Sequence, residues 1–472
     1  MTVHSKNNSA EKTTLVERAM EEICQRISNQ RLAPGTKLPS IRQFASQMQV
    51  SKSTIVIAYD RLAAQGTIKP RSGSGFFVAG ALVPLTLMQH KPQAEHEIDP
   101  LWVSRQSLKA TDNALKPGCG WLPASWMPQE SIRRALRSLS RAEQPTLSEY
   151  GTPKGFPPLR EHLLRQMAQK QISATLDQVI LTSSGTEAID LLCRYFLEPG
   201  DTVLVDDPCY FNFHALLKAH RVKVVSAPYT KNGPDIELFE QVLLEHQPRI
   251  YITNSAIHNP TGAILSPTIA HQLLKLAEIS NLIIIEDDIF SDLEATPAPR
   301  LAAMDGLNKV IHIGSFSKTI SAAARCGFIA ARKDWVEGLI DLKIATSFGG
   351  NPFAAELTWR VLQDGNYRKH LHKLRQRLSS AMGKTSSRLI DIGIKPWLVP
   401  QAGMYLWCKL PNGLQATSIA KKAHSKGIIL APGSVFSLKK SANQYLRFNV
   451  SQSTDPKIYE ALELIITQES CP

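Results

Sequence analysis

Three short runs in the second half of the chain carry side chains whose types can do chemistry together: His258-Asn-Pro-Thr-Gly, Ile285-Glu-Asp-Asp-Ile-Phe and Gly314-Ser-Phe-Ser-Lys-Thr-Ile-Ser-Ala-Ala-Ala-Arg. Each follows an apolar stretch, so a polar turn, a carboxylate and a lysine stand at three strand ends. Lys318, flanked by serines, is placed as a Schiff-base nucleophile toward a carbonyl, and Arg325 seven residues later has the charge to neutralise a phosphate. A carboxylate from the Asp287-Asp288 pair suits a pyridinium nitrogen, which it keeps protonated so that the ring serves as an electron sink. Which aspartate faces the ring stays open. A further run, Leu181-Thr-Ser-Ser-Gly-Thr-Glu-Ala, puts Ser184, Gly185 and Thr186 at a helix start, where hydroxyls and free N–H groups can surround an anion. By itself that device is a weak signal, because small residues at helix starts are commonly mere caps.

The elements that must hold these groups are legible as runs of successive apolar residues at 178–182, 202–205, 223–227, 249–253, 282–286, 310–314 and 327–331, with helical patterns between them. Strands that are apolar on consecutive residues are covered on both faces, which predicts an open, mostly parallel α/β sheet. Ligands of such sheets sit at the carboxyl ends of the strands, where the unusual residues gather.

The first 80 residues read differently. Leu15, Ala19, Ile23, Cys24 and Ile27 recur at helical steps until Pro34-Gly35; Ser40 caps a second helix with Ile41, Phe44, Ala45 and Met48 on one side. Ser51 opens a third helix whose first turn holds Lys52, Ser53 and Thr54, a terminus suited to phosphate. Two short strands follow around a glycine-rich tip at Gly73, with Lys69 and Arg71 on the hairpin. Three helices and a hairpin make the winged helix-turn-helix order. Between 81 and 115 the periodicity fades, with Pro84, Pro92 and Pro100 in a mixed polar stretch that reads as a tether.

Composition agrees with this division. The 472 residues suffice for two or three domains, and 43% hydrophobic with 20% charged residues describes a folded, soluble chain. Net charge is +13, and residues 1–80 hold 11 Lys/Arg against 5 Asp/Glu, so the basic excess sits where nucleic acid would be met. Seven scattered cysteines without C-x-x-C spacing argue against a zinc site or a disulfide framework. Neither a signal peptide nor a membrane span is evident, so the expected location is the cytoplasm.

The run LPSIRQFASQMQVSKSTIVIAYDRLAAQGTIKPRSGSGFFV resembles the head of GntR-type bacterial regulators over residues 13–78, and the motifs of 145–455 resemble fold type I aminotransferases. The whole chain resembles the MocR group of regulators. The resemblance implies a winged helix-turn-helix domain at 1–80, a linker at 81–115 and a body at 116–472 that binds pyridoxal 5'-phosphate, with a large part at about 145–345 and a smaller C-terminal α+β part at about 346–472. It implies that Lys318 joins the cofactor, Asp287 pairs with the ring nitrogen, Asn259 bonds the ring hydroxyl and Tyr210 of DDPCYF stacks on the ring. Ser184, Gly185, Thr186, Ser315, Ser317 and Arg325 would hold the phosphate, joined by Tyr150 of YGTPKG from the partner subunit of a homodimer. Arg447 of YLRFNVS would grip the carboxylate of an amino-acid-like ligand. In the head, Arg42, Ser51, Lys52, Ser53, Thr54, Tyr59, Arg71 and Gly73 would meet double-stranded operator DNA.

One departure stands out. Where many members of the family carry tyrosine three residues after the aspartate, this chain has Phe290. Loss of that phenol weakens control of the lysine–cofactor linkage and puts efficient transamination in doubt. The expected function is thus a regulator responding to an amino-acid-like or vitamin-like effector, the alternative being a working aminotransferase that carries a DNA-binding head.

Overall fold

A computed structural model describes residues 14–29, 32–33, 35–71, 73–79, 98–110, 113–141 and 148–470. Contacts divide the chain into two units, Met1–Glu95 and His96–Pro472. The first part of the tether, 81–97, lies outside the described residues.

In the first unit, α1 (Leu15–Ser28) starts at a capping box in which Thr14 accepts from the Glu17 amide while Glu17 accepts from Thr14. Ser40 caps α2 (Ile41–Met48), and Ser51 caps α3 (Lys52–Ala64) by accepting from the Thr54 amide at 3.1 Å. The antiparallel hairpin β1 (Ile68–Arg71) and β2 (Gly75–Val78) places Arg71 opposite Gly75. Gly73, at φ +69°, takes a left-handed turn conformation that glycine adopts without strain.

Tyr59 corrects one expectation. It is 1% exposed, its hydroxyl donates to the Pro39 carbonyl at 2.9 Å, and its ring packs on Phe44 and Phe76. Burial pushes the phenol up to about 12. Tyr59 therefore belongs to the core of the head and is no DNA contact, as its spacing from Ile55 and Leu62 on α3 requires. Tyr59→Phe should cost the head about 1 kcal/mol in denaturant unfolding, the usual worth of one hydrogen bond, and leave the salt dependence of DNA binding unchanged.

In the second unit, eight strands of the described residues form one sheet: β3 (Val179–Thr182), β4 (Thr202–Asp207), β5 (Lys223–Thr230), β6 (Gly233–Pro234), β7 (Ile250–Thr253), β8 (Ile283–Asp287), β9 (Val310–Ser315) and β10 (Gly327–Ala330). Their order is β3-β10-β9-β8-β7-β4-β5-β6. The pairs from β9 to β5 are parallel, while β10 runs antiparallel to both of its neighbours. Successive residues enter different cores: Ile284 joins the cluster of Leu204 and Tyr251, whereas Ile285 joins that of Val203 and Ile252. This two-sided burial is why the strands read as unbroken apolar runs.

The smaller part holds a four-stranded antiparallel sheet, β11 (Lys395–Pro396), β12 (Tyr405–Lys409), β13 (Ala431–Pro432) and β14 (Tyr445–Asn449), in the order β11-β12-β14-β13. Its composition differs from the boundaries expected. Ile98, Leu115, Leu122 and Trp126 pack into its core, and Leu115 bridges to Ile428, so the chain from 98 onward is part of the body although the tether was expected to run to 115. Helix Pro352–Gln363, expected within the smaller part, sends Ala355, Val361 and Leu362 into the core of the large sheet. Among the described residues no helix is long and apolar enough to cross a membrane, and no His/Cys/Asp/Glu group could hold a metal ion.

Candidate functional site

The carboxyl ends of β3, β8 and β9 open on one cavity of about 190 Å³. Ser184, Gly185, Thr186, Tyr210, Asp287, Ser315, Ser317, Lys318 and Arg325 all line it. Nine residues singled out from sequence thus converge, although they span more than 140 positions of chain.

The lysine and the aspartate there are both strongly perturbed. The lysine amine donates to the Gly120 carbonyl at 2.5 Å and lies 5.8 Å from the centre of the Phe290 ring. Burial, with the nearby Arg447 charge, lowers it to about 8. Burial pushes Asp287 the other way, up to about 7, with Asp288 adding to the rise.

The question of which aspartate serves the cavity is answered by their partners. Asp288 pairs with Arg300 at 3.0 Å and Lys170 at 3.1 Å and lies 3.6 Å from His312; the Lys170 and Arg300 charges hold it at about 2 against its burial. Asp287 is the last residue of β8 and Asp288 the first beyond it. Asp288 is thus spent on a buried ion cluster, and Asp287 is left to the cavity.

At the opposite wall, Ser184 caps helix Gly185–Phe196 by accepting from the Glu187 amide at 3.0 Å. The plain capping role therefore holds for its hydroxyl, while the first N–H groups of the helix remain at the cavity. A Cβ on Gly185 would come within 3.3 Å of Ile289, so the backbone approaches closely there. The Ser315 hydroxyl donates to the Cys326 carbonyl at 3.1 Å and lies within hydrogen-bond distance of Ser317 Oγ, at 3.2 Å. Arg325 takes a left-handed backbone, φ +49°, uncommon for a residue with a Cβ and typical of sites where surroundings over-determine the chain. A helix start, two hydroxyls and a guanidinium form a cradle that fits a phosphate.

Arg447 and Asn259 are brought together without lining that cavity. Both are buried; Arg447 Nη1 donates to Asn259 Oδ1 at 3.0 Å and Nη2 to the Gly118 carbonyl at 2.8 Å, while Nε is buried without a partner. The guanidinium lies 4.2 Å from the centre of the Tyr405 ring and 4.8 Å from that of Phe436. An unpaired buried donor in an aromatic box fits a carboxylate. Tyr150 stands apart: it is 80% exposed, packs on Phe348, and lines a separate cavity together with Gly151 and Arg325.

Sequence reasoning missed the segment that closes the site. Val103, Ser104 and Ser107 of helix Trp102–Lys109, with Gly120 and Trp121, line the cavity, and the Ser107 hydroxyl is buried without a partner. Trp102 anchors that helix against His424 and in a cluster with Phe211 and Phe436. The signal was the Pro117-Gly-Cys-Gly120 run: a Cβ on Gly118 would come 2.4 Å from the Leu430 carbonyl carbon, so glycine is required where two backbones touch. Tyr405 was missed as well; its hydroxyl donates to the same Gly120 carbonyl at 3.3 Å, giving the site a phenol near the lysine although position 290 lacks one.

In the head, Arg42, Lys52 and Ser53 are exposed on α2 and α3. Ser51 Oγ contacts the hydroxyls of Ser53 at 2.7 Å and Thr54 at 2.8 Å, so it orders the start of the helix. Arg71 stacks on Phe77 at 4.5 Å, which holds the wing cation in place.

Residues 122–465 match the family described as Aminotransferase class I and II, and residues 15–78 match the gntR family of bacterial regulatory proteins. An uncharacterized HTH-type transcriptional regulator of Bacillus subtilis, YdfD, is 27% identical over 92% of this chain and 91% of its own length. The HTH-type transcriptional regulator NorG of Staphylococcus aureus is 27% identical over 91% of this chain and 99% of its own. Among solved structures, kynurenine aminotransferase of Pyrococcus horikoshii superposes with a TM-score of 0.72 at 25% identity, over 80% of this chain and 96% of that one. Two matches on one chain, in this order and without overlap, account for both the basic head and the lysine cavity: the chain belongs to the aminotransferase class I and II family and carries a GntR-family head, the architecture of MocR-type regulators.

Proposed function

We propose that this protein is a pyridoxal 5'-phosphate-dependent, DNA-binding transcription regulator whose body senses an amino-acid-like or vitamin-like effector. The observation that carries the reading is the convergence of Lys318, Asp287 and the phosphate cradle on one cavity, in a chain whose head presents Arg42, Lys52 and Arg71. Bound there, the cofactor supplies an aldehyde for a lysine amine and a ring that withdraws electrons. Asp287 holds a proton on the ring nitrogen, and Tyr210 lies against the ring. Asn259, with Oδ1 occupied by Arg447, keeps its amide NH2 for the ring hydroxyl. Arg447 Nε takes the effector carboxylate. Two copies pair, so that Tyr150 of each reaches the partner's phosphate and two heads read two half-sites.

The test measures the affinity of the full-length, cofactor-loaded protein for duplex DNA in the presence of each member of an amino-acid panel. At least one should change that affinity and also shift the visible absorption of the body. Turnover of amino acids with 2-oxoglutarate far above the rate of free cofactor, with DNA affinity unmoved, would establish the aminotransferase alternative. In the head, Arg42→Ala and Lys52→Ala should each weaken binding to all duplexes alike and reduce the slope of log affinity against log salt by about 1, measured by fluorescence anisotropy.

A further inference from the structure

The outer face of α3 carries an apolar patch that its fold does not use. Ile55, Ala58, Tyr59 and Leu62 fill the core, whereas Lys52, Ser53, Val56, Ile57 and Asp60 are exposed. Among the described residues of the head only three large hydrophobic side chains are exposed: Leu15, Val56 at 39% and Ile57 at 45%. Two of the three therefore sit side by side on this helix. They lie one turn beyond Lys52 and Ser53, so the patch continues the cationic, hydroxyl-bearing start of the helix. Asp60, a further turn along, is a poor neighbour for phosphate and a good acceptor for the amino group of a base.

We infer that Val56 and Ile57 are specificity residues that pack on thymine 5-methyl groups in the major groove. The inference rests on the DNA-binding reading of the head and names what that surface reads. Phosphates flank the groove and match Lys52, Arg42 and Arg71. The base edges in its floor offer hydrogen-bonding groups and, on thymine, one exposed methyl. That methyl is the apolar feature of unmodified DNA that two β-branched side chains can cover. A protein partner fits less well, since two aliphatic residues hemmed in by charge fall far short of a stable protein interface. Operator half-sites should then carry thymine at the positions opposite the first two turns of α3.

The experiment uses full-length protein and duplexes that it enriches from a random-sequence pool. The best-bound duplex is resynthesised with deoxyuridine for thymidine, one position at a time, which removes a methyl and leaves base pairing intact. At one or two positions per half-site this should weaken binding about three- to fivefold, as expected for one buried methyl. Val56→Ala or Ile57→Ala should abolish the effect at its own position, with circular dichroism showing an unchanged fold. Tight binding that is indifferent to uridine at every position overturns the inference and leaves the DNA-binding reading intact. A pool that yields no enriched duplex overturns both.

Discussion

Lys318→Ala protein purified with pyridoxal phosphate should show none of the visible Schiff-base absorption of the parent, and dialysis should strip its cofactor. The reason is the state of the amine. At about 8, close to a tenth of it is neutral at pH 7, against about one part in three thousand for an ordinary lysine. Only the neutral amine attacks an aldehyde, so burial raises the reactive fraction several hundredfold. Lys318→Arg separates chemistry from architecture: a guanidinium can still donate to the Gly120 carbonyl but cannot form the linkage. The arginine variant should keep the fold and thermal midpoint of the apo protein while losing the band. A band that survives in either variant would move the cofactor lysine elsewhere.

Asp287→Asn should reverse the sign of a stability effect between the empty and loaded protein. With its folded value raised to about 7, Asp287 contributes stability that is fully present below the unfolded value, near pH 4, and lost as pH rises through 7. Above that, the empty protein holds a buried, poorly compensated charge. Asparagine removes it, so the empty variant should be more stable than the parent at pH 8.5, by on the order of 2–4 kcal/mol, with the difference vanishing by pH 4. The loaded proteins should rank the other way, because the carboxylate then faces a protonated ring nitrogen that asparagine cannot hold. Thermal midpoints with and without pyridoxal phosphate, at both pH values, give the comparison. A variant that gains as much as the parent from the cofactor would remove Asp287 from the ring.

How far the sequence alone reached depends on which interactions fix each residue. Lys318 and Ser184 were legible because each follows an apolar strand, and the end of a strand in a two-sided sheet is a predictable place; Arg325 was legible from its spacing, seven residues after the lysine. Asp287 and Asp288 were not separable: one ends β8 and the other is the first residue beyond it, and what assigns them is Arg300, Lys170 and His312, remote in sequence. Tyr59 was misjudged although its spacing from Ile55 and Leu62 marked it as core; the lure was its place on the helix that meets DNA. Helix Trp102–Lys109 was passed over because eight residues give too short a period to stand out, and its cover comes from Phe211, Phe436 and His424, more than a hundred positions away.

That helix has a further consequence. It is the first described element after the 80–97 stretch that leads from the head, and it is also a wall of the cavity. Binding free energy is a state function, so coupling between two sites of one chain cannot run one way. If filling the cavity changes the grip of the head on DNA by some factor, then holding the head on DNA changes the affinity of the cavity by that same factor. The concentration of effector at which such a protein responds would then be a property of the promoter as well as of the pocket.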